Sequence, residues 1–392
     1  MMRPHAERDL FLISWLILFL ELAFIRWFPA HVVFLSFFTN TVLLACFVGM
    51  SIGCLTARRQ KRHITLTPFL LLVSLVCGVV TDLFAHKLMM LVSAADQSSS
   101  SEVIFFGSEV YTGGGQGFYI PAEVIAALFF TLIAVTMIGP GQELGRAFNR
   151  VPTRSRAYSM NLLGSLAGIL SFAVLSYMER PPSLWFSIAA IGLGYFALRR
   201  ESDAEPTARF SSNSMVITSL AASVILLLAA PNITAGYNSV KVVTQWSPYY
   251  RVDWYPSIGV VDTNRVAHQI MIPRSEPSVA RYALPYLFAR DVPKADPEHK
   301  AWPPFKRILI IGAGSGNDVS RALQWCPDAT IDAVEIDPVI QRIGDGHHPD
   351  RPYQDKRVTL HINDGRNFLR RAPEHEYDLV IFALVEIGRA HV

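Results

Sequence analysis

The sequence predicts a multi-span α-helical membrane domain, then a small β-rich subdomain, then an incomplete α/β domain on a parallel sheet. Three observations carry this. Hydrophobic residues make up 51% of the 392 and charged residues 17%, and the mean hydropathy is +0.30, too apolar for one soluble domain of ordinary composition. The apolar residues concentrate before Pro231 in runs long enough to cross a bilayer. After Phe305, strand-like runs of Ile, Leu and Val end in glycine or acidic turns.

Because about 20 apolar residues cross a hydrocarbon core of roughly 30 Å, seven spans are expected, near residues 10–28, 31–55, 68–92, 119–140, 157–178, 182–198 and 214–230. The first run is too long for a signal-peptide core and lacks a small-residue cleavage site, so it reads as a retained anchor. Lys and Arg gather in three connections: Arg58, Arg59, Lys61 and Arg62, then Arg146, Arg150, Arg154 and Arg156, then Arg199, Arg200 and Arg209. These are expected on the cytoplasmic side. The connection 93–117 has a serine run and Gly113-Gly114-Gly115 but no Lys or Arg, as expected of the opposite side. A multi-pass protein of the inner membrane follows, with the lipid bilayer as its partner.

Within the spans, Glu21, Arg26, Asp82, His86 and Lys87 are ionisable, and such groups face a bundle interior or reach the interface. Arg26 and Lys87 lie near span ends, where long basic side chains snorkel. Glu21 and Asp82 keep open a transport pathway. Asn161, Gly164 and Gly168 form a small-residue face that points to close helix packing.

The formal net charge of +3 points to no nucleic-acid partner. Cys46, Cys54 and Cys77 lie in apolar stretches, Cys326 stands alone, and no Cys-x-x-Cys spacing occurs, so neither a disulfide framework nor a zinc site is expected. His347, His348 and Asp350 lie in a proline-containing loop without ligand spacing; they read as solvated, and no metal is expected.

From Tyr237 to Met271, Val, Tyr and Trp are interrupted by Ser247-Pro248, Pro256-Ser257 and Thr263-Asn264, the pattern of a short antiparallel β-subdomain. Asp291 to Pro304 holds four prolines and reads as a linker. Next come Arg307-Ile-Leu-Ile-Ile311, then Gly312-Ala-Gly314-Ser315-Gly316-Asn-Asp318, then a helical pattern through Val319 and Leu323. Strand, glycine turn and helix bring backbone N–H groups and a helix N-terminus against a ligand. A second strand, Thr330 to Val334, ends in Glu335-Ile-Asp337, 23 residues after Gly312, where an acid can accept both hydroxyls of a ribose. A third, Arg357 to Ile362, ends in Asn363-Asp364-Gly365, where an acid can accept from an adenine amino group. Acids at the ends of successive parallel strands favour an adenine nucleoside. Asn317 stands where a dinucleotide fingerprint wants its third glycine, which favours an S-adenosylmethionine-type ligand in a Rossmann-like fold. Expected contacts are Gly312, Gly314, Ser315, Gly316, Glu335, Asp364 and Gly365.

From about Trp246 onward the chain resembles the polyamine aminopropyltransferases, the spermidine synthase family. Ile308 to Gly316 looks like its glycine loop, Glu335-Ile-Asp337 like its ribose-binding segment and Asn363-Asp364-Gly365 like its adenine-binding turn. Ser247-Pro-Tyr-Tyr250 and Gly259 to Gln269 resemble its hairpin, with Tyr250 where glutamine is usual; Ser315 replaces an acid of the glycine loop. The family's Tyr-His-Glu element has no clear counterpart in Tyr282-Ala-Leu-Pro-Tyr286. The membrane half, with Glu21 to Trp27 and Tyr158 to Leu170, looks like the multi-span region attached to some bacterial members. The resemblance implies transfer of an aminopropyl group from decarboxylated S-adenosylmethionine to a small-molecule amine. Methyl transfer from S-adenosylmethionine is the close alternative, and a transporter or sensor with a regulatory nucleoside domain is another. A homo-oligomer is compatible with the sequence.

After Tyr377-Asp-Leu-Val-Ile-Phe-Ala-Leu384 the family would present an acidic catalytic motif. Here Glu386-Ile-Gly-Arg-Ala-His-Val392 follows, which is what GAG ATC GGA AGA GCA CAC GTC encodes, a sequencing-adapter read-through. The natural frame is therefore expected to depart near Val385, Glu386 is not taken as the catalytic acid, no catalytic residue is assigned, and the fragment is expected to be inactive alone. The expected divisions are residues 1–232, 233–300, 301–385 and 386–392. Seven spans from a cytoplasmic N-terminus would place the nucleoside domain outside, although it is expected in the cytoplasm. The conflict calls for one segment that does not cross, for which the shortest, Met215–Ala230, is the candidate as an interfacial or re-entrant piece, or else for a further half-span hidden within 93–117; the sequence leaves both open.

Overall fold

The computed structural model describes residues 6–36, 39–84, 92–93, 120–199, 206–237, 241–276, 280–295, 304–374 and 376–383. The chain divides into two compact units, residues 1–239 with 264–266, and residues 240–263 with 267–392.

The first unit is helical. Its elements are α1 (Ala6–His31), the single turn α2 (Val33–Ser36), α3 (Thr39–Leu55), a 3-10 turn (His63–Thr65), α4 (Thr67–Leu83), the two-residue strands β1 (Val92–Ser93) and β2 (Ile120–Pro121), α5 (Ala122–Arg150), α6 (Arg154–Tyr177), α7 (Pro182–Ala197) and α8 (Pro206–Tyr237). Proline in the first turn of α4 and α7 occupies a position whose N–H has no helical partner and fixes a helical φ. Ala6–His31, Glu123–Arg150, Arg154–Tyr177 and Asn213–Pro231 are long and apolar enough to cross a membrane; Asn40–Leu55, Thr67–Leu83 and Pro182–Ala197 are shorter apolar helices.

Several boundaries differ from the sequence expectation; α5 runs on to Arg150, ten residues past the expected end near 140. The segment near 31–55 is interrupted, with α3 starting at Thr39. The segment begun at residue 68 ends at Leu83, where the Phe84 N–H bonds back to the Val80 carbonyl; His86 and Lys87 lie outside the described residues, as does nearly all of 93–117. The segment expected to be short, Met215–Ala230, is part of α8, which runs over 32 residues: backbone hydrogen bonding continues through polar flanks that an apolar count leaves out.

α3 packs along α5, and α1 along α6. A Cβ on Gly164 would stand 2.3 Å from the Phe11 carbonyl oxygen, and one on Gly168 2.5 Å from that of Trp15, so the small-residue face of α6 is the seat of α1. Asn161 Oδ1 accepts from the Ser14 hydroxyl at 2.9 Å in the same seam. Glu21 and Asp82 are both buried. Arg26 does not reach outward as expected; its guanidinium lies 4.9 Å from the centroid of the Trp185 ring, where the ring face attracts a cation.

Two of the basic residues expected on the cytoplasmic side, Arg62 and Arg146, are largely buried and paired. Glu143 Oε1 accepts from Arg62 at 3.3 Å and Arg146 at 3.2 Å. Arg146 also donates to the carbonyls of Ala57 (3.2 Å) and Arg59 (2.6 Å). Gln142 donates to those of Thr56 (3.1 Å) and Lys61 (2.9 Å) and accepts from the His63 N–H at 2.8 Å. The turn after α3 is thereby fastened to α5.

The second unit opens with an antiparallel meander of β3 (Val243–Trp246), β4 (Arg251–Tyr255), β5 (Val260–Thr263) and β6 (Val266–Ile270), in that order. The β-subdomain expected between Tyr237 and Met271 is this meander. A 3-10 turn (Ala280–Ala283) and α9 (Leu284–Ala295) follow, then β7 (Arg307–Ile311), α10 (Asn317–Trp325), β8 (Thr330–Glu335), α11 (Pro338–His347), β9 (Val358–Ile362), α12 (Gly365–Leu369) and β10 (Leu379–Phe382). These four strands pair in parallel in the order β10-β7-β8-β9. β7 is central, and its Ile308, Leu309 and Ile310 are fully buried, as a strand covered on both faces requires. Ile308 and Ile310 pack with Val319 and Leu323 of α10; Leu309 and Ile311 pack with Phe368. Val339, Ile340 and Ile343 of α11 pack against Val252, Trp254 and Val261 of the meander, so α11 joins the two sheets of this unit.

Replacing Gly164 by Val forces α1 and α6 apart and should lower the unfolding midpoint of the detergent-solubilised chain by the equivalent of about 1–3 kcal/mol. Leu162→Ala on the exposed side of α6 should leave that midpoint within about 0.5 kcal/mol of wild type.

Candidate functional site

In a parallel sheet the carboxyl ends of the strands face the same way, and the turns leaving them make a shared rim. Here the rim takes Gly312–Gly316 from β7, Glu335 from β8 and Asp364 from β9, which brings the expected site residues together. Gly312, Gly314 and Gly316 have φ of +77°, +57° and +105°, a region open to glycine at little cost. Gly314 has a second reason to be glycine: a Cβ there would lie 2.5 Å from Nε2 of Gln269.

Glu335 is 6% exposed and holds the loop. Its Oε2 accepts from the Gly314 N–H at 2.7 Å and its Oε1 from the Asp337 N–H at 2.8 Å. Burial pushes its carboxyl up, opposed by the Asp337 and Gly314 N–H groups, which favour the charged form; the net shift is upward. A carboxylate has about four acceptor sites, so acceptor capacity is left after these bonds. Asp337 caps α11, accepting from the N–H groups of Val339 and Ile340. Asp364 is exposed and caps α12 with one oxygen, accepting from the Asn367 N–H at 2.8 Å. Gly365 beside it leaves no room for a side chain, since a Cβ would meet Ile311 at 2.4 Å. The Ser315 hydroxyl is fully buried and has no hydrogen-bond partner among the described residues.

Sequence reasoning missed two residues that hold this loop, Gln269 and Tyr353, and Asp318, which follows it. Gln269 Oε1 accepts from the Ser315 N–H at 2.7 Å. Tyr353 donates its hydroxyl to the Gly314 carbonyl at 2.7 Å, and burial holds that phenol well above its usual range. Asp318, in the first turn of α10, has its carboxyl pushed up to about 6 by burial. Gln269 falls within the hairpin that carried a signal; Tyr353 follows a proline in a short 3-10 turn and carried none.

The reading of His348 and Asp350 as solvated is corrected, because His348 is 1% exposed. Its Nε2 lies 3.1 Å from Asn317 Oδ1, which also accepts from the Ile272 N–H at 3.0 Å; its Nδ1 accepts from the Asp350 N–H at 3.1 Å. Asp350 in turn accepts from the Ser320 hydroxyl at 2.7 Å and the Arg274 N–H at 2.9 Å. The neutral ring with hydrogen on Nε2 satisfies both contacts, and burial lowers its pKa to about 4. His347 is exposed and stacks on Trp254. No cluster of three metal-ligating side chains occurs among the described residues. Residues 384–392, with Glu386, lie outside them.

A glycine loop, a buried acid that fastens it and a second acid at the next strand end stand together at the rim of the parallel sheet. Residues 298–391 match the family model for the spermine/spermidine synthase domain, and the C-terminal region carries that domain. Spermidine synthase 1 of Pisum sativum is 38% identical over 78 residues, 19% of this chain and 23% of that protein. Spermine synthase of Arabidopsis thaliana is 33% identical over 78 residues, 19% of this chain and 22% of that protein. Polyamine aminopropyltransferase of Clostridium acetobutylicum is 32% identical over 82 residues, 20% of this chain and 29% of that protein. The matched stretch spans about a quarter of the length of these curated relatives.

The native pKa of His348 lies below its ordinary value of 6.5, so the unfolded chain binds the extra proton between about pH 4 and 6.5. Stability of the second unit is fully present above pH 6.5 and should fall on acidification through that window, by on the order of 3 kcal/mol at most. Comparing denaturation of wild type and His348→Gln at pH 7 and pH 5 checks this: the variant should show a flatter pH dependence. Tyr353→Phe removes one hydrogen bond to the glycine loop and should cost about 1 kcal/mol in the same measurement.

Proposed function

We propose that the C-terminal unit is a transferase domain that binds an S-adenosylmethionine-type nucleoside in a Rossmann-like sheet and that the helical unit attaches it to a membrane. In this reading decarboxylated S-adenosylmethionine is the donor, and its aminopropyl group passes to a small-molecule amine. The observation that carries the nucleoside reading is Glu335: a buried carboxylate, fixed at the end of β8 by the Gly314 and Asp337 N–H groups, that keeps acceptor capacity for a ribose hydroxyl. Asp364 has one oxygen beyond its cap for an adenine amino group. The glycine loop and the N-terminus of α10 take the amino-acid end, where oriented N–H groups are available, and the Ser315 hydroxyl is a further polar contact there. The domain match at residues 298–391 supports aminopropyl transfer, and the names of the relatives agree with it. The membrane reading rests on the four long apolar helices. Residue 315 is serine where the related enzymes have an acid, so the donor is tested with both nucleosides.

Isothermal titration of the full chain in detergent with S-adenosylmethionine and its decarboxylated form should show saturable binding, tighter for the decarboxylated form. Glu335→Gln should weaken it by roughly 10- to 100-fold, the loss of one or two hydrogen bonds to a charged acceptor. Asp364→Asn keeps the helix cap, so it should weaken binding by about tenfold while leaving the unfolding midpoint unchanged. Absence of binding of both nucleosides at millimolar concentration would overturn the proposal.

A further inference from the structure

We infer that the helical unit carries a binding site for a phosphate group, where the turn after α3 meets the C-terminal end of α5. The turn and the helix border a shallow, open depression of about 310 Å³ edged by Arg58, Arg59, Gln60, Arg146, Asn149 and Arg150. Four arginines and two side-chain amides line it, and none of its lining residues is acidic.

Two features fit the depression for an anion. Helix C-termini and the turns that leave them expose carbonyl oxygens, which repel negative charge. Here Arg146 and Gln142 occupy the carbonyls of Thr56, Ala57, Arg59 and Lys61, and the acid of the cluster, Glu143, is taken up by Arg62 and Arg146. The second feature is the freedom of Arg58 and Arg59. Both are exposed, and neither side chain has a hydrogen-bond or ion-pair partner among the described residues, so their forked donors remain for a ligand with tetrahedral oxygens, a geometry that arginine matches in pairs of bonds.

A phosphate group reaches such a site from a phospholipid headgroup or from a soluble phosphate. The first source rests on the membrane reading above: the depression lies at the ends of two apolar helices, the level at which basic pockets hold anionic headgroups.

The test uses the full chain in a nonionic detergent, with the double variant R58Q/R59Q and the charge-matched control R154Q/R180Q, which changes exposed arginines that do not line the depression. Thermal stabilisation is measured with phosphatidylglycerol, with phosphatidylcholine and with inorganic pyrophosphate. Preference for phosphatidylglycerol, weakened about tenfold or more in R58Q/R59Q but kept in the control, with pyrophosphate inert, supports the site with a lipid as its source. Stabilisation by pyrophosphate that is lost only in R58Q/R59Q supports the site with a soluble source. Equal responses in wild type and R58Q/R59Q, or no response to either anion, overturn it. Membrane fractionation is run in parallel: recovery of the chain without detergent would defeat the membrane reading alone, and the pyrophosphate arm would still decide the site.

Discussion

The two hydrogen bonds that Glu335 accepts, from Gly314 and from Asp337, are the constraint on which the C-terminal unit's rim depends. A buried carboxylate is costly unless its oxygens are met by donors, and the donors here come from the turn after β7 and the turn after β8. One side chain therefore fixes a loop with three residues at positive φ relative to the neighbouring strand. Gln269 and Tyr353 secure the same loop from outside the sheet, through the Ser315 N–H and the Gly314 carbonyl. The loop's shape is thereby held by three side chains of the protein itself.

Matching of buried charge also organises the helical unit. Arg62, Arg146 and Glu143 satisfy one another, and the surplus donors of Arg146 and Gln142 close the backbone of the turn between α3 and α4. Arg58 and Arg59 are left outside this arrangement. A basic run that reads along the sequence as one uniform cluster thus separates into two parts, one holding the turn in place and one presented at its surface.

Much of the C-terminal unit was legible because its signals are local. Ile308 to Ile311 reads as a strand buried on both faces, the glycines after it read as a turn, and Glu335 and Asp364 fall at strand ends where the parallel sheet brings them to one rim. What was hidden depends on distant pairing. Gln269 meets Ser315 across 46 residues, Tyr353 meets Gly314 across 39 and His348 meets Asn317 across 31. A histidine in a proline-containing loop looks solvated until the elements that bury it are placed. Among the helices, apolar content located each segment, while backbone hydrogen bonding set its ends, which is why α8 outruns its apolar core and α4 stops at Leu83.

The Asn317 side chain has a consequence for how the second unit behaves as a body. Its carbonyl oxygen takes the Ile272 N–H and faces His348, and its amide donates to the Ile270 carbonyl at 2.8 Å, so the exit of the meander, the start of α10 and the end of α11 meet on one residue. α11 adds an apolar seam to the meander on its other side. Peeling the meander away would expose that seam and strand several polar groups at the foot of the glycine loop at once. The antiparallel and parallel sheets are in this sense a single cooperative block, and a disturbance in the strands before Ile272 is felt at the loop some forty residues further along the chain.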